Sequence, residues 1–190
     1  MKWIIRIGIL TVGIPSLAIG LLVLARFRPG RGHVSSEIDI KRPAVDVFNW
    51  ISKPELMGQW VGGVSQVARS SPPQDGENVG ERFRAVESDA EQSSPATLDI
   101  VVTELVPGLR FGLQIESTGN PETSFTEVAE YNLSESRGMT RVDFEAQTTY
   151  HGKVSRYFEP FITAASRKKF QHDLERLKAL VEAEPAGNRQ

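Results

Sequence analysis

Residues 97–116, TLDIVVTELVPGLRFGLQIE, carry the clearest structural signal in the sequence. Apolar side chains recur at every second position on both sides of a Pro107-Gly108 pair; they are Leu98, Ile100, Val102, Leu109, Phe111, Leu113 and Ile115. A repeat of two places alternate side chains on opposite faces of a β-strand, and the Pro-Gly pair turns the chain. The stretch therefore predicts two antiparallel strands with one covered face and one face in water.

The same alternation extends the sheet in both directions along the chain. Further strands are predicted at residues 33–41, 64–68, 81–87, 125–133 and 141–148. The polar connectors between them, RSSPPQDGEN, SDAEQSSP, STGNPETS and SESRG, have the composition of loops and turns. The pattern predicts an antiparallel sheet of about six or seven strands.

Three helices complete the predicted fold. Pro43 begins PAVDVFNWIS, because proline is favoured at a first helical position, and a second short helix is predicted over residues 53–60. A long helix is predicted over about residues 158–183, beginning near Glu159, because Pro160 is tolerated in a first turn but not in a helix interior. The result is an α+β fold in which a curved sheet wraps the C-terminal helix, since that helix is the only element available to cover the apolar face.

The N-terminal segment is distinct from this domain. Residues 7–25 include no charged side chain, and about 20 apolar residues suffice for a membrane-spanning helix. We expect a single transmembrane helix within residues 1–25, a basic linker at 26–32, a folded domain at 33–184 and a disordered tail at 185–190. A cleaved signal peptide and a buried core helix are the alternatives. The positive-inside rule weakly favours a cytoplasmic location for the folded domain.

Charge and composition exclude several classes of function. Residues 1–32 carry five basic and no acidic side chains, and the whole chain is −2, so residues 33–190 are −7, with 17 basic and 24 acidic side chains. An acidic domain is a poor ligand for nucleic acid, which is therefore not an expected partner. The chain has no cysteine, and its three histidines are scattered, so neither a metal site nor a cofactor is expected.

Three segments resemble a known superfamily. They are EIDIKRPAVDVFNWISKPELMGQW at residues 37–60, VGERFR at 79–84 and DLERLKALVE at 173–182. Together they resemble the START-like, helix-grip superfamily labelled SRPBCC, in particular its polyketide cyclase/dehydrase-like group, over about residues 33–183. The resemblance implies a deep, mostly apolar cavity between the sheet and the final helix, used in that superfamily for lipids, sterols, polyketides or quinones. Val61-Gly62-Gly63 stands where the family often has a proline, so the cavity mouth is expected to be looser or differently shaped there.

Seven side chains are candidates for the ligand site. The aromatic candidates for the cavity lining are Trp60, Phe83, Phe111, Phe144 and Phe161, with plain core packing as the alternative. Glu127 and Tyr131 are four residues apart in one predicted strand, at alternate positions that place both side chains on its apolar face. A carboxylate there would have a raised pKa and could act as an acid or base or orient a ligand, unless it reaches solvent at the strand end.

Three functions are compatible with this pattern. The first is a membrane-anchored binding protein that holds a hydrophobic small molecule or lipid, for which no catalytic residue is assigned. The second is a cyclase/dehydrase-like enzyme that uses Glu127 with Tyr131 as its acid–base pair. The third is a non-catalytic membrane interaction protein with a closed core and an exposed apolar patch. The oligomeric state stays open.

Overall fold

The computed structural model describes residues 30–70, 79–88 and 96–184. The predicted transmembrane segment 1–25, most of the predicted linker 26–32 and the predicted tail 185–190 lie outside these residues. Within the described ranges, no helix is both long and apolar enough to cross a bilayer.

In the part of the chain that the structure describes, one antiparallel sheet of seven strands confirms the prediction from the alternating pattern. The strands are β1 (Arg31–Ile40), β2 (Val64–Arg69), β3 (Arg82–Glu87), β4 (Ala96–Val106), β5 (Arg110–Thr118), β6 (Phe125–Ser136) and β7 (Met139–Tyr150). Their order in the sheet is β1-β7-β6-β5-β4-β3-β2, so the first strand of the chain pairs with the last. The β6–β7 hairpin closes through Arg137 and Gly138, whose φ angles of 55° and 73° match the right-handed twist of the flanking strands.

Two short helical segments lie between β1 and β2, as predicted, with different internal structure. Helix α1 (Ala44–Ile51) follows Pro43, which occupies the N-cap position rather than the first helical position. The second segment is a 3₁₀ turn (Pro54–Leu56) followed by one α-helical turn, α2 (Met57–Trp60), and not one continuous helix.

The long C-terminal helix α3 (Lys153–Ala183) begins earlier than the sequence indicated, so the predicted start near Glu159 is wrong. Its first turn is fixed by Gly152, whose carbonyl accepts hydrogen bonds from the Arg156 amide at 3.0 Å and from Ser155 Oγ at 3.0 Å. Pro160 therefore lies inside the helix. Proline in that position removes one backbone hydrogen bond, but the anchored first turn keeps the residues before it helical.

The C-terminal half of α3 packs on the sheet and forms the core with α1. Leu174, Leu177 and Val181 are fully buried there, together with Val47 and Ile51 of α1. The middle of α3, from Ile162 to Leu174, covers the sheet without filling the space beneath it, and this space holds the candidate site.

Candidate ligand cavity

A cavity of about 630 Å³ lies between the sheet, α2 and the middle of α3, from Ile162 to Leu174. Its wall is mostly apolar; the apolar side chains include Met57, Trp60, Val61, Val64, Leu98, Ile100, Ile115, Phe125, Ala129, Tyr131, Phe144, Ile162, Ala165, Phe170 and Leu174. Small-molecule sites in proteins occupy about 300–1,000 Å³ and are lined mainly by apolar and aromatic groups with few polar ones. The cavity has the size and lining of such a site.

Glu127 is the carboxyl group in the wall formed by the central strands. Antiparallel pairing places it opposite Thr148 of β7, and Thr148 Oγ1 donates a hydrogen bond to Glu127 Oε2 at 2.8 Å. Burial raises the pKa of Glu127 above its ordinary value of 4.5, and the nearby Glu87 adds to the rise. The Thr148 hydrogen bond and the Lys169 ammonium oppose it without reversing it. The carboxyl can therefore hold a proton in conditions in which an exposed glutamate has lost it.

Tyr131 lies deeper, inside an aromatic cluster. Its ring centroid is 4.8 Å from that of Phe144, 6.2 Å from that of Trp60 and 6.3 Å from that of Phe111. Burial, followed by the charges of Glu127 and Asp173, raises the pKa of the Tyr131 phenol well above its ordinary value of 10.0. The phenol is therefore protonated at physiological pH, where it can donate a hydrogen bond but cannot act as a base.

Charged groups of α3 and β3 line one end of the cavity. Asp173 is only 3% exposed, and its Oδ1 accepts a hydrogen bond from the Gly62 amide at 2.8 Å. Lys169 Nζ lies 3.2 Å from Asp173 Oδ2 and 3.9 Å from Glu87 Oε1. These contacts place one lysine between two carboxylates at the polar end of an otherwise apolar space.

The Gly62-Gly63 segment, expected to loosen the mouth, is held in place. A Cβ on Gly62 would lie 3.1 Å from Asp173 Oδ1, and Gly63 has a φ of +82°, in the left-handed region that favours glycine. Gly62 therefore permits a close approach between this loop and α3, Gly63 lies against the end of β3, and both line the cavity.

The structure brings four of the seven predicted site residues together around the cavity, namely Trp60, Glu127, Tyr131 and Phe144. Phe83 and Phe111 are fully buried in the core and do not line it. Phe161 is 75% exposed on the outer side of α3, so its predicted place in the cavity wall is corrected. Alternation identified the inward face of each strand but not which inward side chains meet a void.

Sequence reasoning missed several of the residues that line the cavity. Phe125, Phe170 and Lys169 line the cavity, although none of them was among the seven predicted site residues. The signal that could have found the polar ones is their spacing, because Lys169 and Asp173 are four residues apart and continue the helical face of Ile162 and Ala165.

The indole N–H of Trp60 is a further polar group beside the cavity. Its indole is almost completely buried, and Nε1 has no hydrogen-bond partner among the described residues. Buried tryptophan N–H groups usually find a partner, so this one retains unused donor capacity beside the cavity.

Among the described residues, no group of three histidine, aspartate or glutamate side chains is arranged to hold a metal ion.

Known structures with the same fold come from diverse sources. A protein from Chromobacterium violaceum matches with a TM-score of 0.62 and 14% identity, over 80% of this chain and 99% of that chain. A hypothetical protein from Helicobacter pylori matches with a TM-score of 0.62 and 10% identity, over 78% of this chain and 87% of that chain. Identities this low establish the fold alone.

A third structure comes from a named pathway. The di-domain ARO/CYC BexL from the BE-7585A biosynthetic pathway matches with a TM-score of 0.62 and 21% identity, over 97% of this chain and 61% of that chain. Comparison with functionally curated proteins finds no match. Residues 31–182 match the family described as polyketide cyclase / dehydrase and lipid transport. The match spans well over half of the chain, which therefore belongs to that family.

Proposed function

We propose that the protein is a membrane-anchored binding protein that holds a hydrophobic small molecule or lipid between its sheet and α3. The observation that carries the proposal is the cavity of about 630 Å³ with its mostly apolar wall. Transfer of apolar surface from water into such a wall is favourable by about 25 cal/mol per Å², so affinity does not require a charged contact. Family membership supports a hydrophobic ligand.

The anchor in this proposal is the apolar segment within residues 1–25, which would form a single-pass helix with the folded domain on the cytoplasmic side. An anchored domain stays close to the bilayer, where a water-insoluble ligand is concentrated.

The side of the membrane on which the folded domain lies can be measured with Met139→Cys, because the chain has no native cysteine and Met139 is exposed in the β6–β7 hairpin. A membrane-impermeant maleimide should leave this cysteine unlabelled in intact cells and label it after lysis.

Photolabelling with a 12-carbon alcohol that carries a diazirine tests the binding proposal. The full chain in phosphatidylcholine vesicles is irradiated with the probe, and labelled positions are mapped by mass spectrometry. Labels are expected on cavity-lining residues such as Ile115, Ala129 and Phe170.

Two neighbouring alanines of α3 provide a matched pair of variants. Ala165 is exposed and lines the cavity, whereas Ala164 is exposed and does not. Ala165→Trp should obstruct the space and reduce cavity labelling at least tenfold, and Ala164→Trp should leave it unchanged. Equal labelling in both variants, or labels confined to the outer surface, would contradict a cavity ligand.

A second candidate function, acid–base catalysis, is favoured by the raised pKa of Glu127 inside the cavity. A general acid or base placed at a reacting group accelerates a reaction by about 10²–10⁴-fold. Cyclisation of a linear poly-β-ketone requires removal and return of protons and therefore tests this function directly. Catalysis predicts that the wild-type chain accelerates cyclisation and that Glu127→Gln abolishes most of the acceleration; no acceleration by the wild type would leave the binding role alone.

A further inference from the structure

An exposed apolar cluster lies on the N-terminal half of α3. It consists of Val154, Tyr157, Phe158 and Phe161, and we call it the aromatic patch; Phe158 is 48% exposed and Phe161 75% exposed. Their spacing of three and four residues places all four on one face of the helix. Single exposed apolar residues are ordinary, but four within eight residues, two of them phenylalanine, indicate a contact surface.

The helix that carries the patch is basic in an acidic domain. Residues 153–169 contain five basic side chains and one acidic side chain, a net charge of +4, whereas residues 33–190 as a whole are −7. Aromatic and aliphatic groups flanked by lysine and arginine are typical of helices that lie in the interface of an anionic membrane. The charge therefore favours an anionic surface over a basic or neutral apolar partner, and the position of the N-terminal segment favours the bilayer as that surface.

The start of the domain is located beside the same part of α3. The Gly30 carbonyl accepts a hydrogen bond from the Tyr150 amide at 2.8 Å, and a Cβ on Gly30 would lie 2.7 Å from Arg156 Cγ. Five residue steps separate Gly30 from Ala25, the last residue of the uncharged run, and at about 3.5 Å per residue they span at most about 18 Å. A bilayer that held residues 7–25 would therefore lie within reach of the N-terminal turns of α3.

The patch also borders the mouth of the cavity. Ala165 is exposed and lines the cavity, and it follows Phe161 by one helical turn on the same face. A membrane in contact with Phe161 would thus meet the rim of the mouth.

We propose that the aromatic patch inserts into the interfacial region of the bilayer and brings the cavity mouth to the lipid surface. This inference rests on the proposed membrane anchor and identifies the face of the domain that the membrane contacts. A hydrophobic ligand would then pass between bilayer and cavity beside Ala165 without crossing water.

The absence of native cysteine permits a direct test with single labelled positions. Phe161→Cys and, as a control, Met139→Cys are labelled with the environment-sensitive fluorophore NBD in the full chain. Met139 is exposed at the far end of β7, eleven residues before the strand ends next to α3, which is about 36 Å at 3.3 Å per residue. Both proteins are reconstituted in vesicles of phosphatidylcholine and phosphatidylglycerol, with and without a lipid-attached quencher in the bilayer.

The expected result is a blue-shifted emission that the bilayer quencher strongly reduces at position 161, with no shift and no quenching at position 139. A Phe161 label that stays in water while the protein floats with the vesicles would overturn the inference and leave the anchor intact. Protein that does not float with the vesicles would remove both the anchor and the inference, while cavity labelling by the diazirine alcohol would still report on ligand binding separately.

Discussion

The two halves of α3 perform different tasks although they belong to one continuous helix. The C-terminal half buries Leu174, Leu177 and Val181 against the sheet, and its end is bonded to the loop after β1. The N-terminal half exposes an aromatic face, and the cavity lies beneath the middle of the helix, where the α3 residues that line it run from Ile162 to Leu174. We infer from this difference that the packed end of the helix stabilises the fold enough to offset the incomplete packing beneath the rest of it.

The largest expected effect comes from truncating a side chain in the packed half. Leu177 is fully buried, so Leu177→Ala should lower the free energy of unfolding by about 2–5 kcal/mol through lost burial and a residual cavity. Phe161→Ala, in the exposed half, should change it by less than about 0.5 kcal/mol. Denaturant unfolding of the full chain in detergent measures both values. Equal losses would show that the two halves contribute alike to stability.

The hydrogen bonds at the end of α3 are expected to have the next largest effect. Arg42 Nε donates to the Val181 carbonyl at 3.1 Å, and its Nη2 donates to the Glu182 carbonyl at 3.0 Å and to the Glu184 carbonyl. Because these carbonyls have no partners within the helix, Arg42→Ala should cost about 1–2 kcal/mol. Arg167→Ala, an exposed change in the N-terminal half, is the control and should be near neutral in the same unfolding measurement. A neutral Arg42 variant would contradict the assignment of this contact as an anchor.

The stability of the protein is expected to depend on pH through Glu127, which lies in the cavity wall. The pKa of Glu127 is raised in the folded state, so the folded protein loses stability relative to the unfolded chain as pH rises from about the ordinary value of 4.5 through the raised pKa. Glutamine cannot ionise, so Glu127→Gln should have the higher Tm at neutral and alkaline pH, and the two curves should converge in acid. A Tm difference between the two proteins that does not change with pH would contradict a raised pKa of Glu127. Thermal unfolding from pH 4 to 9 gives the comparison.

The sheet was predictable because its signal is repeated in every strand. The alternation in β4 and β5 predicts which side chains point to the covered face of the sheet. The turn at Pro107-Gly108 predicts that the two strands pair and run antiparallel. Both signals lie within a few residues of the positions that they specify. The start of α3 was not, because it depends on the contacts of Gly152 with residues from another loop. A Cβ at Gly152 would clash with the Glu122 carbonyl oxygen, and no local sequence pattern encodes this proximity.

The sequence predicted which side chains of each strand point to the covered face of the sheet, but it predicted no more of the site than that. Parity placed Glu127 and Tyr131 on the covered face, where both line the cavity. Parity cannot distinguish a void from a packed contact, however, and so Phe83 was grouped with Phe144 although only Phe144 lines the cavity. Phe161 was misplaced because a helix with aromatic side chains on two faces has no unique inner side until its axis is fixed against the sheet.

The smallest expected effect concerns the charge of the ligand. Three carboxyl groups of the described residues, those of Glu87, Glu127 and Asp173, line the cavity with one lysine, and Lys169 already lies 3.2 Å from Asp173 Oδ2. A second anion would have to compete for that lysine or lose its hydration next to like charges, whereas a hydroxyl group can donate to Glu127 or accept from its protonated form.

At pH 8 we expect the diazirine alcohol to label cavity residues several-fold more than the matched diazirine carboxylic acid. Glu127→Gln should reduce that preference, because it removes one of the negative charges without changing the volume of the cavity. Stronger labelling by the acid would indicate that Lys169 is available to ligands, and the polar end of the cavity would then be a site for anionic lipids.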